Sequence, residues 1–295
     1  MKHILTLSIC LVLLSGCFGE KKGGNNPPVA GAIDGDVFLE QLEGNPVTAK
    51  SRVIASFDPL KKRGISRRRA LYSAVTSLDS LPDVTECATS EVKRDANVAV
   101  GKHLNVGELT LGLYENGQAS TLLTVPKDAD NNYKREFSES PDAGDHLLAV
   151  SGSKDAFGFQ VPIPMPYEFA NADVNGVLFT TPGKDPAIVQ KSADLELTWD
   201  IPTSTNYNGL VLEVDTLAGG VEMLMTCKAA EKNLPQSSGK VHWVIPAAKM
   251  AQLSASTDAF VRLTRYQATQ AESAKIGKVF LAGVRTQVNT ATVNE

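Results

Sequence analysis

The sequence predicts a mainly β fold, made of two antiparallel Ig-like β-sandwich domains with one or two short helices. Three observations predict it. From about residue 97 onward, apolar and polar residues alternate, which is the pattern of strands with one buried face. Turn-forming residues interrupt these runs roughly every ten residues, a spacing typical of sandwiches. Helical periodicity is scarce, and no strand–helix alternation indicates an open parallel sheet.

Four runs show the alternation most clearly, with an apolar residue at every second position. Their apolar positions are Leu109, Leu111 and Leu113; Leu195, Leu197 and Trp199; Val221, Met223, Met225 and Cys227; and Val241, Trp243 and Ile245. The turns between strands are predicted at Asn116-Gly117, residues 128–132, Asn175-Gly176, Asn208-Gly209, Gly219-Gly220 and residues 237–239. The two tryptophans stand in the apolar phase, which favours a buried position over a sugar-stacking surface.

Two short helices complete the predicted elements. The first would be capped by Ser66, and the second would begin at Pro246. Their apolar faces would carry Leu71, Ala74, Val75 and Leu78 in the first helix, and Ala247, Met250 and Leu253 in the second.

A length of 295 residues predicts about two domains, at roughly 150 residues per domain. Pro162, Pro164 and Pro166 mark the boundary, because prolines at alternate positions cannot donate to a central ladder. That stretch is either an edge strand or an extended linker. We therefore predict an N-terminal β-rich domain over residues 36–165 and a C-terminal Ig-like sandwich over residues 166–295.

Composition excludes several classes of protein. Hydrophobic residues make up 42% of the chain, which is too many for wholesale disorder. The 29 Lys and Arg residues against 33 Asp and Glu residues give a net charge of −4. Such a chain has no general attraction for nucleic acid, so no nucleic-acid partner is predicted.

The N-terminus has the features of an export signal. Lys2 and His3 precede an apolar run over residues 4–14, which is too short for a transmembrane helix of about 20 residues. The run ends in Leu14-Ser15-Gly16-Cys17. This segment resembles the type II signal peptide and lipobox of bacterial lipoproteins. The resemblance implies that residues 1–16 are removed and that Cys17 is acylated; the alternative is an ordinary secretory signal.

The same resemblance predicts where the protein resides. The residue after Cys17 is Phe18 rather than the Asp associated with inner-membrane retention, which implies an outer-membrane location facing the periplasm or the surface. Two acyl chains on Cys17 make a durable anchor, whereas a single chain is marginal. Residues 17–35 are polar and rich in glycine and proline, and are predicted to be a flexible tether.

Two cysteines would remain after processing and lipidation. Cys10 would be removed with the signal peptide, which leaves Cys87 and Cys227 in a compartment where disulfides persist. Only one intramolecular pairing is possible. The alternative is two separately buried thiols, since free cysteine often packs as a small hydrophobic residue.

The body of the chain resembles a group of uncharacterised β-sandwich surface lipoproteins from predatory and gliding proteobacteria. Besides the lipobox, the resembling pieces are residues 106–110, the proline-rich stretch, residues 194–199, Cys227, residues 245–248 and a basic final strand. The resemblance implies no enzymatic residues.

Motifs of nucleophilic catalysis are weak. Ser151-Gly152-Ser153-Lys154 matches the serine–x–x–lysine pattern of penicillin-recognising enzymes, but so does the segment 90–93, and the companion motifs are absent from the sequence. His103, His146 and His242 fall in separate predicted strands, where each is most simply a sheet-surface residue. No local spacing suggests a triad or a zinc site. A non-enzymatic protein without a cofactor is therefore predicted.

A calcium site is the best metal candidate. Asp128, Asp130 and Asn132 occupy positions 1, 3 and 5 of an EF-hand-like loop, with Glu136 and Glu139 at positions 9 and 12. However, the sixth position, which needs glycine, is a tyrosine. A polar turn between strands explains the same residues and is the favoured alternative.

The densest charge is a cluster of six cations on an otherwise acidic chain. Its members are Lys61, Lys62, Arg63, Arg67, Arg68 and Arg69. We predict that this basic cluster engages an anion, such as a phosphate of lipopolysaccharide, a wall polymer or a membrane surface. The alternative is a solvated loop that leads into a helix.

Together these features predict a lipid-anchored envelope or cell-surface protein with a non-enzymatic binding or structural role. Its partners would be the bilayer, through acylated Cys17, and an envelope protein, a surface protein or a glycan. The alternatives are a transport solute-binding lipoprotein, a carbohydrate-binding or adhesion module, and an enzyme whose site is assembled from scattered loops.

Overall fold

A computed structural model describes residues 32–44, 49–59, 67–72, 85–92, 102–115, 118–179, 186–202, 209–273 and 276–295. The predictions for the signal peptide, for Cys17 and for Lys61, Lys62 and Arg63 lie outside these residues. Among the described residues, no helix has the length and apolarity needed to cross a membrane.

Strands dominate the described chain, as predicted. In chain order they are β1 (Ile33–Gly44), β2 (Lys50–Pro59), β3 (Glu86–Glu91), β4 (Leu109–Glu115), β5 (Gln118–Val125), β6 (Tyr133–Phe137), β7 (Gly144–Val150), β8 (Phe159–Met165), β9 (Asp173–Val174), β10 (Val177–Leu178), β11 (Ala187–Gln190), β12 (Leu195–Asp200), β13 (Gly209–Ala218), β14 (Val221–Ala230), β15 (Gln236–Ser237), β16 (Lys240–Ile245), β17 (Ser256–Ser273) and β18 (Gly277–Asn294). The helices are α1 (Arg67–Tyr72) and α2 (Ala247–Met250), with a 3₁₀ turn at Glu231–Asn233.

These strands form three sheets within the described chain. The large sheet has the order β3-β14-β13-β17-β18-β1-β2-β6, and β11 pairs with β18 beside this path. The five-stranded sheet has the order β10-β9-β12-β16-β15, and the four-stranded sheet the order β5-β4-β7-β8. Each small sheet packs against one part of the large sheet, so the large sheet is a layer common to two sandwiches.

Each sandwich encloses its own hydrophobic core. The C-terminal core lies between the large and five-stranded sheets and includes the fully buried Trp199 and Trp243. The N-terminal core lies between the large and four-stranded sheets and includes Leu109, Leu111 and Phe57. The predicted fold class, mainly β and built from sandwiches, is therefore confirmed.

Two of the described strand pairs in the large sheet are parallel, whereas the sequence predicts antiparallel sandwiches. β1 pairs with β18 in parallel, with Ile33 opposite Gly277 and Gly44 opposite Val288. β11 also pairs with β18 in parallel. The last strand therefore belongs to both sandwiches, and a single sheet runs through both predicted domains. Strand β1 also begins at Ile33, within the predicted tether of residues 17–35.

Some of the predicted proline and glycine positions lie where the sequence indicates, in an edge strand and in a turn, and one glycine lies in a strand instead. The prolines at 162 and 164 lie in β8, which is an edge strand of the four-stranded sheet. Gly219 and Gly220 form the predicted turn between β13 and β14, with φ values of 57° and 81°. Gly209, predicted in a turn, instead begins β13, where a Cβ atom would lie 2.4 Å from the Tyr266 ring. Absence of a side chain lets that ring pack against the strand.

Both helices are short. α2 follows Pro246, and Met250 and Leu253 are buried beneath it, as the spacing predicts. α1 packs Tyr72 against Phe38 and Tyr266 on the outer face of the large sheet, with ring centroids 6.0 and 5.0 Å away. The remainder of the predicted first helix lies outside the described residues.

Candidate functional site

The inner face of β18 changes chemistry along its length. At one end Val279 and Leu281 belong to the N-terminal core, and at the other Ala291 and Val293 belong to the C-terminal core. Between these ends the same face carries three buried polar residues, and Arg265 of β17 lies directly opposite the first of them. We call these four residues the polar seam: Arg265, Arg285, Gln287 and Asn289. The seam therefore marks the place where the two cores meet.

The polar seam holds the chain segment that connects the two cores. This junction segment, residues 166–169, follows β8, and each of its four carbonyls accepts a hydrogen bond from the seam. Arg285 Nε donates to the first carbonyl at 2.5 Å, and Arg265 Nη1 to the second and third at 3.0 and 2.7 Å. Gln287 Nε2 donates to the fourth at 3.2 Å. Carbonyls that would be costly to bury without partners are thus satisfied by side chains.

Arg265 is fully buried and forms an ion pair with Glu231 of the 3₁₀ turn. Trp199 Nε1 donates to the same carboxylate at 2.7 Å, and the Arg265 guanidinium lies 4.1 Å from the Phe169 ring centroid. Burial lowers the pKa of Arg265, and the charge of Glu231 opposes that shift. Removal of either side chain is therefore expected to destabilise the fold, because the buried charge of the other would lose its opposite charge.

Arg285 lies on β18 and is almost fully buried beside the junction segment. Besides its bond to the junction segment, it donates to the side chain of Gln41, to the carbonyl of Pro141 and, at 2.9 Å, to Glu168 Oε1. Burial lowers the pKa of Arg285, and Glu168 opposes the shift. Its contacts join β1, the β6–β7 connection and the junction segment to β18.

A cleft of about 910 Å³ opens above Arg285. Asp142 and Ala143 of the β6–β7 connection and Gly144 and Asp145 of β7 form one wall, and Tyr167, Glu168, Ala170 and residues 200–202 form the other. Tyr114 and Tyr167 also line it, and Tyr167 has 36% of its surface exposed. The junction cleft thus lies between the two sandwiches, where polar and aromatic groups converge.

Carboxylates dominate the charge of the junction cleft. Glu168 is paired with Arg285, and Asp200 accepts a hydrogen bond from Asn171 at 2.6 Å. Asp142 and Asp145 are exposed on the opposite wall. The cleft therefore presents more negative than positive charge to a ligand.

The buried His146 side chain is hydrogen-bonded to the backbone of Tyr114 and of Asp142, two residues that line the cleft. It is 1% exposed; its Nδ1 accepts a hydrogen bond from the Tyr114 backbone N–H at 3.1 Å, and its Nε2 lies 2.9 Å from the Asp142 carbonyl. A carbonyl only accepts, so Nε2 carries the proton and the ring is neutral. Burial lowers the pKa of His146. The expected sheet-surface position is therefore wrong for this histidine.

The polar seam was not predicted from the sequence. A signal was available, since Arg285, Gln287 and Asn289 take the same phase as valines and leucine on both sides of them. A polar interruption within an apolar phase indicates a change of environment along one strand. The partners of these three side chains are 111 to 244 positions away along the chain, and no local pattern identifies them.

The predicted disulfide is confirmed. Cys87 of β3 and Cys227 of β14 face each other in register and are joined by an S–S bond of 2.04 Å. The bond ties β3 to the rest of the large sheet across a sequence separation of 140 residues.

The predicted calcium ligands are not brought together. Asp128 Oδ1 accepts hydrogen bonds from the backbone N–H groups of Asp130 and Asn132, at 2.8 and 2.9 Å, as in the alternative polar turn. The hydrogen bond from the Asn132 side chain lowers the pKa of Asp128. Strand β6 carries Glu136 away in extended backbone, where it pairs with Lys134.

Glu139, the remaining predicted ligand, accepts a weak hydrogen bond from Ser138 at 3.4 Å. Among the described residues, no group of three or more His, Cys, Asp or Glu side chains is arranged to hold a metal ion.

The structure describes part of the basic cluster. Arg67, Arg68 and Arg69 begin α1. The Arg69 side chain is 14% exposed, lies 2.6 Å from Asp34 and 3.6 Å from Asp36, and approaches the Phe280 ring. Its guanidinium therefore pairs with carboxylates of β1 and holds α1 against the large sheet. Anion binding by the other cluster members stays a prediction.

The chain matches no protein-family model and no curated protein sequence. Several solved structures are similar to it, among them these two. One is a DUF3823 family protein from Parabacteroides merdae ATCC 43184, with 8% identity, a TM-score of 0.20, and coverage of 61% of this chain and 90% of that one. The other is titin A168–169, with 4% identity, a TM-score of 0.21, and coverage of 90% and 97%. At these TM-scores the similarities carry no argument about function.

Proposed function

We propose that this chain is a lipid-anchored envelope protein with a binding role, and that the junction cleft is its binding site. The observation that carries the binding role is the cleft itself, whose tyrosines and carboxylates converge above a rigidly held junction. Because four successive carbonyls of the junction segment are hydrogen-bonded, the wall that carries Tyr167 and Glu168 is fixed before a partner arrives. Preorganisation of this kind favours binding, since little order is lost on association.

The location is supported by two independent features. The lipobox-like segment ends at Cys17, and the Cys87–Cys227 disulfide is typical of oxidising compartments outside the cytoplasm. The first gives the anchor and the second agrees with the compartment that the anchor implies. Outer-membrane placement follows from Phe18 and is part of the same proposal.

The charge of the cleft indicates the chemistry of the partner. Exposed Asp142 and Asp145 face a wall where Arg285 is already paired with Glu168. A basic segment of another envelope protein fits this surface, because its cations would meet carboxylates and could lie against the faces of Tyr114 and Tyr167.

Site-specific photocrosslinking in the native cell tests the binding site. A photoreactive residue at Tyr167 should capture a partner, whereas the same residue at Leu217, which is 42% exposed and lies outside the cleft lining, should not. Combined Asp142→Asn and Asp145→Asn substitutions should weaken capture several-fold, and added salt should do the same. Equal capture at both positions would contradict the assignment of the cleft.

Metabolic labelling with an alkyne-bearing fatty acid tests the anchor separately. The wild-type chain should incorporate label and fractionate with the outer membrane, and Cys17→Ser should do neither. Unchanged labelling of the Cys17→Ser variant would overturn the anchor but leave the cleft proposal standing.

A further inference from the structure

Three side chains form a hydrogen-bonded chain on the solvent-facing side of the five-stranded sheet. The distance from Ser237 Oγ to His242 Nε2 is 2.9 Å, and the distance from His242 Nδ1 to Glu196 Oε1 is 3.0 Å. The serine is exposed, and the histidine and glutamate side chains are 27% and 52% exposed. We call this arrangement the surface relay. It is distinct from the junction cleft, because none of its residues lines that cleft.

Strand register brings the relay together. β15 and β16 form a hairpin in which Ser237 faces Lys240, and β12 lies on the other side of β16 with Thr198 opposite His242. Side chains two positions apart share a face, so Ser237, His242 and Glu196 project to the same side. The opposite side of the same strands carries Trp199 and Trp243 in the C-terminal core. Packing of these tryptophans fixes the strands that hold the relay.

The hydrogen-bond partners determine the direction of the relay. A carboxylate only accepts, so the Nδ1–H of His242 donates to Glu196. With the ring neutral, Nε2 is left as an acceptor, and the Ser237 hydroxyl donates to it. This is the order in which a serine is activated: the histidine is placed to take the hydroxyl proton, and the carboxylate orients the ring.

We propose that Ser237 is the nucleophile of an acyl-transfer site that hydrolyses small acyl esters. Ser237 Oγ attacks the ester carbonyl carbon while its proton passes to His242 Nε2. The bond to the leaving alcohol then breaks, and that alcohol takes the proton from the imidazolium. Solvent water attacks the acyl-serine with His242 again as the base, which releases the carboxylic acid and restores Ser237.

Lys240 shares the face of the relay, but its ammonium is directed toward β12 and β9, away from Ser237. Its Nζ is 3.3 Å from Thr198 Oγ1 and 3.5 Å from Asp173 Oδ2. Ser237 is exposed and the Glu196 side chain is 52% exposed, so we take a small acyl group on an accessible oxygen as the substrate class. This site goes beyond the proposed binding role and against the expected absence of enzymatic activity.

The test uses the purified full chain, p-nitrophenyl acetate and a fluorophosphonate probe. Wild-type protein should release p-nitrophenol faster than Ser237→Ala by about a hundredfold or more, the low end of what general-base catalysis typically contributes. The fluorophosphonate should add once, on the peptide that contains Ser237. His242→Gln should lose both reactions.

Ser138→Ala is the matched control, because Ser138 is also exposed and hydrogen-bonded to a glutamate, Glu139, but not to a histidine. It should leave the rate unchanged. Glu196 acts through the histidine, so Glu196→Gln should lower kcat with KM unchanged and without lowering the melting temperature by more than a degree or two. Equal hydrolysis by wild type and Ser237→Ala, or a fluorophosphonate adduct on another residue, would overturn the proposal.

Discussion

The polar seam and the surface relay are both sets of polar side chains placed by strand register, but they differ in burial and in partners. The seam is enclosed, with Arg285 4% exposed, and it binds mainly backbone carbonyls and the buried carboxylate of Glu231. The relay faces solvent, and its three side chains bind one another. Burial makes the first network a determinant of stability, because its charges cannot return to water. Exposure leaves the second network free to meet a substrate.

The largest expected effect is loss of a buried arginine. Arg265→Met should lower the free energy of unfolding by about 3–5 kcal/mol, because it removes the buried cation that faces the carboxylate of Glu231. Arg262→Met is the control, since Arg262 lies three residues away on the same strand with its side chain 31% exposed and should cost below about 1 kcal/mol. Urea denaturation followed by circular dichroism measures both. Equal costs would remove the contrast between buried and exposed networks.

A double variant sharpens this first prediction. Arg265→Met combined with Glu231→Leu should recover part of the loss, because the uncompensated charge is removed together with its partner. Additive losses in the same denaturation experiment would show that packing of the arginine stem, rather than its charge, holds the junction.

The free-energy cost of losing the disulfide can be compared with that of losing the buried Arg265 ion pair. Replacing Cys87 and Cys227 together with alanine should cost about 2–4 kcal/mol, because the bond closes a loop of 140 residues. We expect this cost to be comparable with that of Arg265→Met. Intact mass before and after reduction checks that the bond is present in the wild type, and two alkylatable thiols in unreduced protein would contradict it.

The buried histidine of the cleft, His146, provides a test by pH. Burial lowers the pKa of His146 in the folded protein, so the unfolded chain binds the proton more tightly. The contribution of His146 to stability is therefore fully present above pH 6.5, the pKa of a histidine in the unfolded chain. It is lost as the pH falls from that value toward the lower pKa of the folded state, and it does not change further below that pKa. Melting temperatures between about pH 8 and about pH 5 should show a shallower slope for His146→Gln than for wild type. Equal slopes for His146→Gln and wild type would contradict the assignment.

The smallest expected effect on stability belongs to the surface relay. Glu196→Gln should change the free energy of unfolding by less than about 1 kcal/mol, since the Glu196 side chain is 52% exposed and its hydrogen bond to His242 competes with water. The same denaturation series measures it. A larger loss would mean that the relay, like the seam, stabilises the fold.

Local pattern predicted the strands well where one face is buried throughout. Leu109, Leu111, Trp199 and Trp243 are all buried as their alternation indicated, because a strand exposes every second residue to the same side. Val221 is a partial exception at 43% exposed, since it lies at the tip of a hairpin beyond the core. The cysteine pair was predictable because the predicted processing and lipidation of the N-terminus leave only Cys87 and Cys227 to pair.

By itself the sequence determined the fold class, the strand phases, the disulfide partners and the pattern that indicates an anchor at Cys17. Each of these depends on local spacing or on a small number of choices. Only the tertiary structure decided that β1 and β18 pair in parallel, that one large sheet serves two cores, and that the polar seam and the surface relay exist. These features join residues from 5 to 244 positions apart, and strand register across sheets is set by packing rather than by local pattern.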